Sequence, residues 1–219
     1  MHNRSLILAV VLLTASGGAA RAQVVRQVAS DNTAYGTTAA EFLLLAPPAR
    51  GMALGNSFSA LVTDISSLHF NPAGLSQMAR SELSASSTSY IADTKYSWVG
   101  LAMPFGGGSR AVGFSMGSFG FKDQPVYTVE DPTGSEGQVY SVSESYLAVT
   151  YSQQFSDRFA AGFTGKYISD RLGDVTGQTF AVDFGTSFHA NIGGRPIRAA
   201  FTIQNLGGTL QHTGKALNA

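Results

Sequence analysis

The pentapeptide GFSMG, Gly113–Gly117, has the form G-x-S-x-G, in which a serine nucleophile stands on a sharp strand-to-helix turn. Here Ser115 sits inside a run that alternates apolar and polar residues through Phe119, so a strand passes straight through the motif. His189 and His212 are available as bases, but neither has a third partner in a readable context. Gly106–Arg110, GGGSR, lacks the Lys-Ser/Thr pair of a phosphate loop and reads as a turn between two strands. Asp123, Glu130, Asp131 and Glu136 are acidic enough to attract calcium, yet their spacing fits no calcium loop and instead suits a solvated loop. His69 has no second histidine at metal-ligand spacing and reads as a hydrogen-bonded interior residue. No catalytic constellation, metal site or cofactor motif emerges, and the expectation is a non-enzymatic protein.

The elements around these residues are more informative. The first 22 residues carry His2 and Arg4, then the apolar SLILAVVLLTASGG, then a small-x-small site at Ala20–Ala22, the layout of a cleaved signal peptide. The apolar stretch falls short of the about 20 residues that a membrane-spanning helix needs. An exported chain without cysteine has no disulfide framework. With 14 basic and 14 acidic residues and no basic stripe, nucleic acid is excluded as an expected partner.

Residues 23–35 read as an exposed lead-in, and TTAAEFLLLAPPARGM as a short helix ended by Pro47–Pro48. From residue 80 the hydrophobic period changes to two. Seven strand candidates follow, at 80–92, 94–104, 109–120, 142–155, 158–170, 177–190 and 195–205. Most exceed the usual soluble strand of about 5–6 residues and match the roughly 9–11 of a tilted membrane-crossing strand. Short links (FGGGSR, FSDR, NIGGRP) alternate with a long one at 121–140 and a middling one at 169–178, although ADT near Asp93 is too short for that scheme.

The faces of these strands are unlike. Phe159, Phe163 and Tyr167 share one side of their strand while Lys166 lies on the other. Asp183 stands opposite Phe180, Phe184 and Phe188, and Arg198 stands opposite Ile197, Phe201 and Ile203. The face that carries Lys166, Asp183 and Arg198 is otherwise Gly, Ala, Ser and Thr, not the Lys/Glu-rich surface of a soluble strand. That composition favours an antiparallel transmembrane β-barrel, with Phe toward lipid and the three charges toward the lumen, over an exported β-sandwich.

The stretch ARGMALGNSFSALVTDISSLHFNPAGLSQM, 49–78, resembles the N-terminal signature of FadL-like outer-membrane proteins, closest to the PorV/PorQ group, some of which serve type IX secretion. Ala49, Arg50, Gly51, Gly55, Asp64, Ser66, Asn71, Pro72, Ala73, Gly74 and Leu75 carry the likeness, and Asn205–Leu206–Gly207 resembles a late strand end of the same group. The resemblance implies that residues 23–78 fold back as a hatch inside a barrel portion, 79–219. Gly and Ala would permit close approach to the wall, Asn71 and Asp64 would accept backbone N–H groups, and Pro72 would fix a turn. The group's barrels have fourteen strands, so seven candidates and the polar ending LQHTGKALNA lead to the expectation of a barrel cut short at its C-terminal side. The implied location is the outer membrane of a Gram-negative-type bacterium, with lipid as a partner. The implied role is handling of exported cargo through secretion components or cargo C-terminal domains. The alternative is a channel for a hydrophobic ligand.

Overall fold

A computed structural model describes residues 39–129, 131–134 and 137–214. The expected signal peptide, the lead-in, Glu130 and Glu136 lie outside them. The chain is all-β beyond residue 78: β1 (Glu82–Ser89), β2 (Lys95–Phe105), β3 (Arg110–Pro125), β4 (Val139–Ser156), β5 (Phe159–Leu172), β6 (Val175–Ile192), β7 (Arg195–Gly207) and β8 (Gln211–Gly214). Strands β1 to β7 form one antiparallel meander in sequence order, curled into a half-barrel. The period-two pattern dictates this result, since each strand must present one face to a core and the other away from it. Strand β8, which the polar ending concealed, pairs with β6 at Val175–Gln178. It continues the course of β7, whose ladder on β6 ends at Ala181↔Gly207, so the sheet is seven strands wide.

Two connections differ from expectation. The middling link after β5 is a two-residue turn, Gly173–Asp174, and the long link shrinks to 126–138 because β3 and β4 run well past the apolar region. Strand pairing there needs only backbone groups, so polar sequence such as SDRL and VTGQ extends the ladder without an apolar face to announce it. The β6–β7 hairpin closes on Gly193 and Gly194 with φ of 60° and 78°, the double positive φ that a two-residue turn matching strand twist demands. At the β1–β2 turn the same geometry falls on Ala92 and Asp93, with φ of 54° and 56°. A left-handed Ala costs roughly 1–2 kcal/mol. Ala92→Gly, exposed and without a contact to lose, is therefore expected to stabilise the fold by about 1 kcal/mol, read as a rise in the urea midpoint.

The expected helix before the prolines is instead a 3-10 turn, Glu41–Leu44, and the prolines introduce a helical turn rather than end one: Pro48 precedes Ala49–Ala53. Further turns at Ser67–Phe70 and Pro72–Gln77 complete a compact segment that lies on the concave face of the sheet. The core sits between them. Phe42, Leu43, Leu68 and Leu75 from the segment pack with Tyr96, Trp98, Tyr146 and Ile168 from the strands.

Candidate functional site: the junction of the N-terminal segment and the sheet

Asn71, fully buried and extended, is the hub. Its Oδ1 accepts from the Ala73 N–H at 3.0 Å, which starts the turn that Pro72 continues. Its Nδ2 donates to the Ser59 carbonyl at 2.9 Å within the segment and to the Thr186 carbonyl at 3.1 Å on β6. Ser152 of β4 donates to the Ala73 carbonyl at 3.1 Å and accepts from the Ser76 N–H at 3.2 Å. Glu82 of β1 accepts from the Ile65 N–H, and Gln204 of β7 donates to the His69 and Phe70 carbonyls. Irregular backbone is thus satisfied by side chains of three strands around the wall, β1, β4 and β7.

Small residues on the sheet make this approach possible. A Cβ on Gly162 would meet the Pro72 and Ala73 backbone, one on Gly185 would meet Asn71 Oδ1 and Pro72, and one on Gly113 would meet Leu68 and Leu75. Within the segment, Gly51 lies under the Phe70 ring and Gly74 against the Val62 carbonyl. Gly55 has open space around it but a φ of 61°, so its need is conformational. Arg50 sits over the Phe58 ring at 5.1 Å and 3.7 Å from Asp64, whose Oδ1 accepts the Ser66 N–H at 2.8 Å. The Arg50–Asp64 pair is solvent-exposed on the Arg side and contributes little.

Of the three charges placed on the polar face, two come together. Lys166 Nζ lies 2.8 Å from Asp183 Oδ2 and donates to Asn205 Oδ1 at 2.7 Å, and the Asn205 N–H donates to Asp183 Oδ1 at 2.8 Å. Lys166 and Asp183 are both buried on the concave side. Asn205 reaches them because the β6–β7 register slips at Val182/Phe184 and Asn205 turns left-handed, with φ of 57°. Its role was not read from the sequence, where Asn205 entered only through the likeness of Asn205–Leu206–Gly207 to a late strand end. Arg198 shares their side of the sheet, opposite His189, but is exposed and takes no part.

Ser115 is buried in the middle of β3, so no nucleophile elbow forms. His189 contacts Ser187 at 3.2 Å and faces Arg198, and His212 pairs with Asp170 at 2.9 Å across β6. Asp131 is buried within its own loop, where its Oδ1 accepts from Thr133. Among the described residues no three His, Asp or Glu side chains stand where they could share a metal ion.

His69, on the segment rather than a strand, packs edge-on against Phe70 at 4.9 Å. Burial, and after it the Lys166 ammonium, holds its imidazole well below the ordinary range. The folded form therefore keeps the neutral ring, and stability is lost as pH falls below the ordinary value of 6.5, where the unfolded chain takes up the proton first. His69→Gln is expected to flatten that loss, checked by urea midpoints at about pH 7.5 and about pH 5. Compared with protein-family models, with curated proteins and with solved structures, the chain matches none.

Proposed function

We propose that the chain is outer-membrane β-barrel wall with an internal hatch, of PorV/PorQ type, acting without enzymatic chemistry in protein export. One observation carries the membrane reading: the sheet is inside out. Leu147, Val149, Phe163, Phe180, Phe184 and Phe201 are 44–71 % exposed on the convex side, while Lys166 and Asp183 are buried on the concave side. A soluble sandwich would do the reverse, covering the Phe face with a second sheet and leaving the charges in water. Lipid is the solvent in which a broad apolar outer face and a polar, filled inner face are both stable.

The segment described over residues 39–78 serves as the hatch in this reading, and residues 1–22 direct export. The export role rests on the resemblance of the Ala49–Leu75 signature, and the tight seating of Asn71–Ala73 against Gly162 and Gly185 favours a fixed anchor over a conduit. The partners are outer-membrane lipid and secretion components or cargo C-terminal domains. Sucrose-gradient fractionation and gel mobility test the first part: the protein should travel with outer membranes and shift on heating, and a soluble, unshifted species sinks it. Co-purification from those membranes tests the second, and recovery without secretion components or cargo removes the export role. A hydrophobic-ligand channel is favoured by the apolar cluster beneath Phe42 and Leu43. That reading requires uptake of such compounds to fall on deletion.

A further inference from the structure

Toward the end of the sheet that carries the β3–β4 link, the concave face holds a row of ionisable groups. Glu144 on β4 lies directly opposite Asp170 on β5, Asp170 opposite Gly177 on β6, and Gly177 opposite His212 on β8. His212 reaches across Gly177, where a Cβ would meet its ring at 3.2 Å, and its Nε2 lies 2.9 Å from Asp170 Oδ2. Asp170 is buried, and its other oxygen, Oδ1, has no hydrogen-bond partner among the described residues. On the convex side the two flanking rungs are Ser145, Ser169 and Gln178, and Ser143, Arg171 and Thr176. The row therefore stands beyond the apolar band, which starts at Leu147, Tyr167 and Phe180.

The N-terminal segment bears on the same row. Phe42 packs against Tyr146, two residues along β4 from Glu144, with ring centroids 6.1 Å apart. The neighbouring Glu41 carboxylate is within electrostatic reach of Glu144. Three acidic side chains, from the segment, β4 and β5, thus converge with one imidazole from β8. Strand β3 brings Phe119 to the row, with the Tyr90 ring against it, and β4 also brings the Tyr146 phenol. Two carboxylates directly opposite on a ladder repel, which favours keeping one proton between them. Burial, then Asp170 and after it Glu41, push the Glu144 carboxyl up to about 7, with His212 pulling the other way. A protonated Glu144 can donate to Asp170 Oδ1, which leaves Asp170 bonded through both oxygens. Once Glu144 ionises, His212 is drawn toward the row, so β8 stays in place. The Glu41–Leu44 turn has no such tie. It is a single 3-10 turn without a side-chain cap, begun by Ala40 at a left-handed φ of 56°.

We propose that Glu144 is a proton-operated seat for the first turn of the segment: protonated, it bonds Asp170 and lets the turn lie down, and ionised, it repels Glu41 and lifts Glu41–Leu44 away from Tyr146. The seated form holds the proton more tightly than the lifted one, so seating is fully present at low pH and is lost as pH rises through about 7. The inference needs the segment on the concave face and does not depend on the membrane reading above. The test is hydrogen exchange on the full-length protein, corrected for the intrinsic pH dependence of amide exchange. The amides to follow are Leu43 and Leu45, which donate to the Ala40 and Phe42 carbonyls, each at 3.1 Å. Their protection should fall by about threefold or more between about pH 6 and about pH 8.5. Glu144→Gln, which keeps a neutral donor toward Asp170, should hold it constant, and so should Glu41→Gln on an exposed side chain. Constant protection in the wild-type chain overturns the proposal, as does an undiminished fall in either variant. A fall shared by the β4 amides of Tyr146 and Ala148 marks opening of the whole sheet and overturns it too.

Discussion

Lys166→Ala should be among the most damaging single changes in the chain, at about 3–5 kcal/mol, because it leaves Asp183, 1 % exposed, as a buried carboxylate without its cation. The pair is not a simple bridge. Asp183 uses one oxygen for Lys166 and the other for the Asn205 N–H, while Lys166 also donates to the Asn205 side chain, so three groups from β5, β6 and β7 close on one another. Removing the ammonium strands an anion and one amide oxygen at once. The double variant Lys166→Met/Asp183→Asn removes both charges and keeps an acceptor for the Asn205 N–H, so it should recover most of the loss. Urea midpoints of wild type, Lys166→Met, Asp183→Asn and the double variant form the cycle that measures the coupling. A double variant no better than Lys166→Ala would show that the site needs the cation itself.

Gly162→Val should cost about 3 kcal/mol, at the top of the range for overpacking, because the groups in its way are Pro72 and Ala73 backbone and not a side chain that can swing aside. The same substitution at Gly165, three residues on and on the other face, should stay within about 0.5 kcal/mol, since open space awaits it. The contrast tests the seating of the segment directly. If the fold relieves Gly162→Val by expelling the segment instead of unfolding, residues 39–78 become sensitive to protease while the strands remain protected. Equal effects at the two glycines would mean that the segment does not sit where Asn71 meets Thr186.

Which residues share a strand face was legible from alternation alone: Phe163 and Phe184 lie exposed on one side of the sheet, and Lys166 and Asp183 lie buried on the other. What could not be read was who meets whom. The Lys166–Asp183 contact depends on the β5–β6 register, in which Lys166 lies opposite Ala181, and that register is fixed by the two-residue turn at Gly173–Asp174. Reading the polar stretch around that turn as a longer loop leaves the register open. Asn205 enters through a bulge, which shifts one strand by a residue without any change in hydrophobic pattern.

In the N-terminal segment, Gly and Asn71–Pro72 announced tight turns, but which strand glycines receive them is a property of the assembled sheet. Local pattern also misplaced the prolines. Leu and Ala upstream favour helix in isolation, whereas Phe42 and Leu43 are pinned into the core and the helical turn forms on the far side of Pro48.

Strands β1 and β7 stand at the two rims of the sheet, and with five antiparallel neighbours between them they run the same way. Two copies set about a common pore axis would bring rim to rim head-with-head, the wrong polarity for the ladder used everywhere else in the sheet. A fully antiparallel cylinder raised on this arc would thus take an odd complement of additional staves.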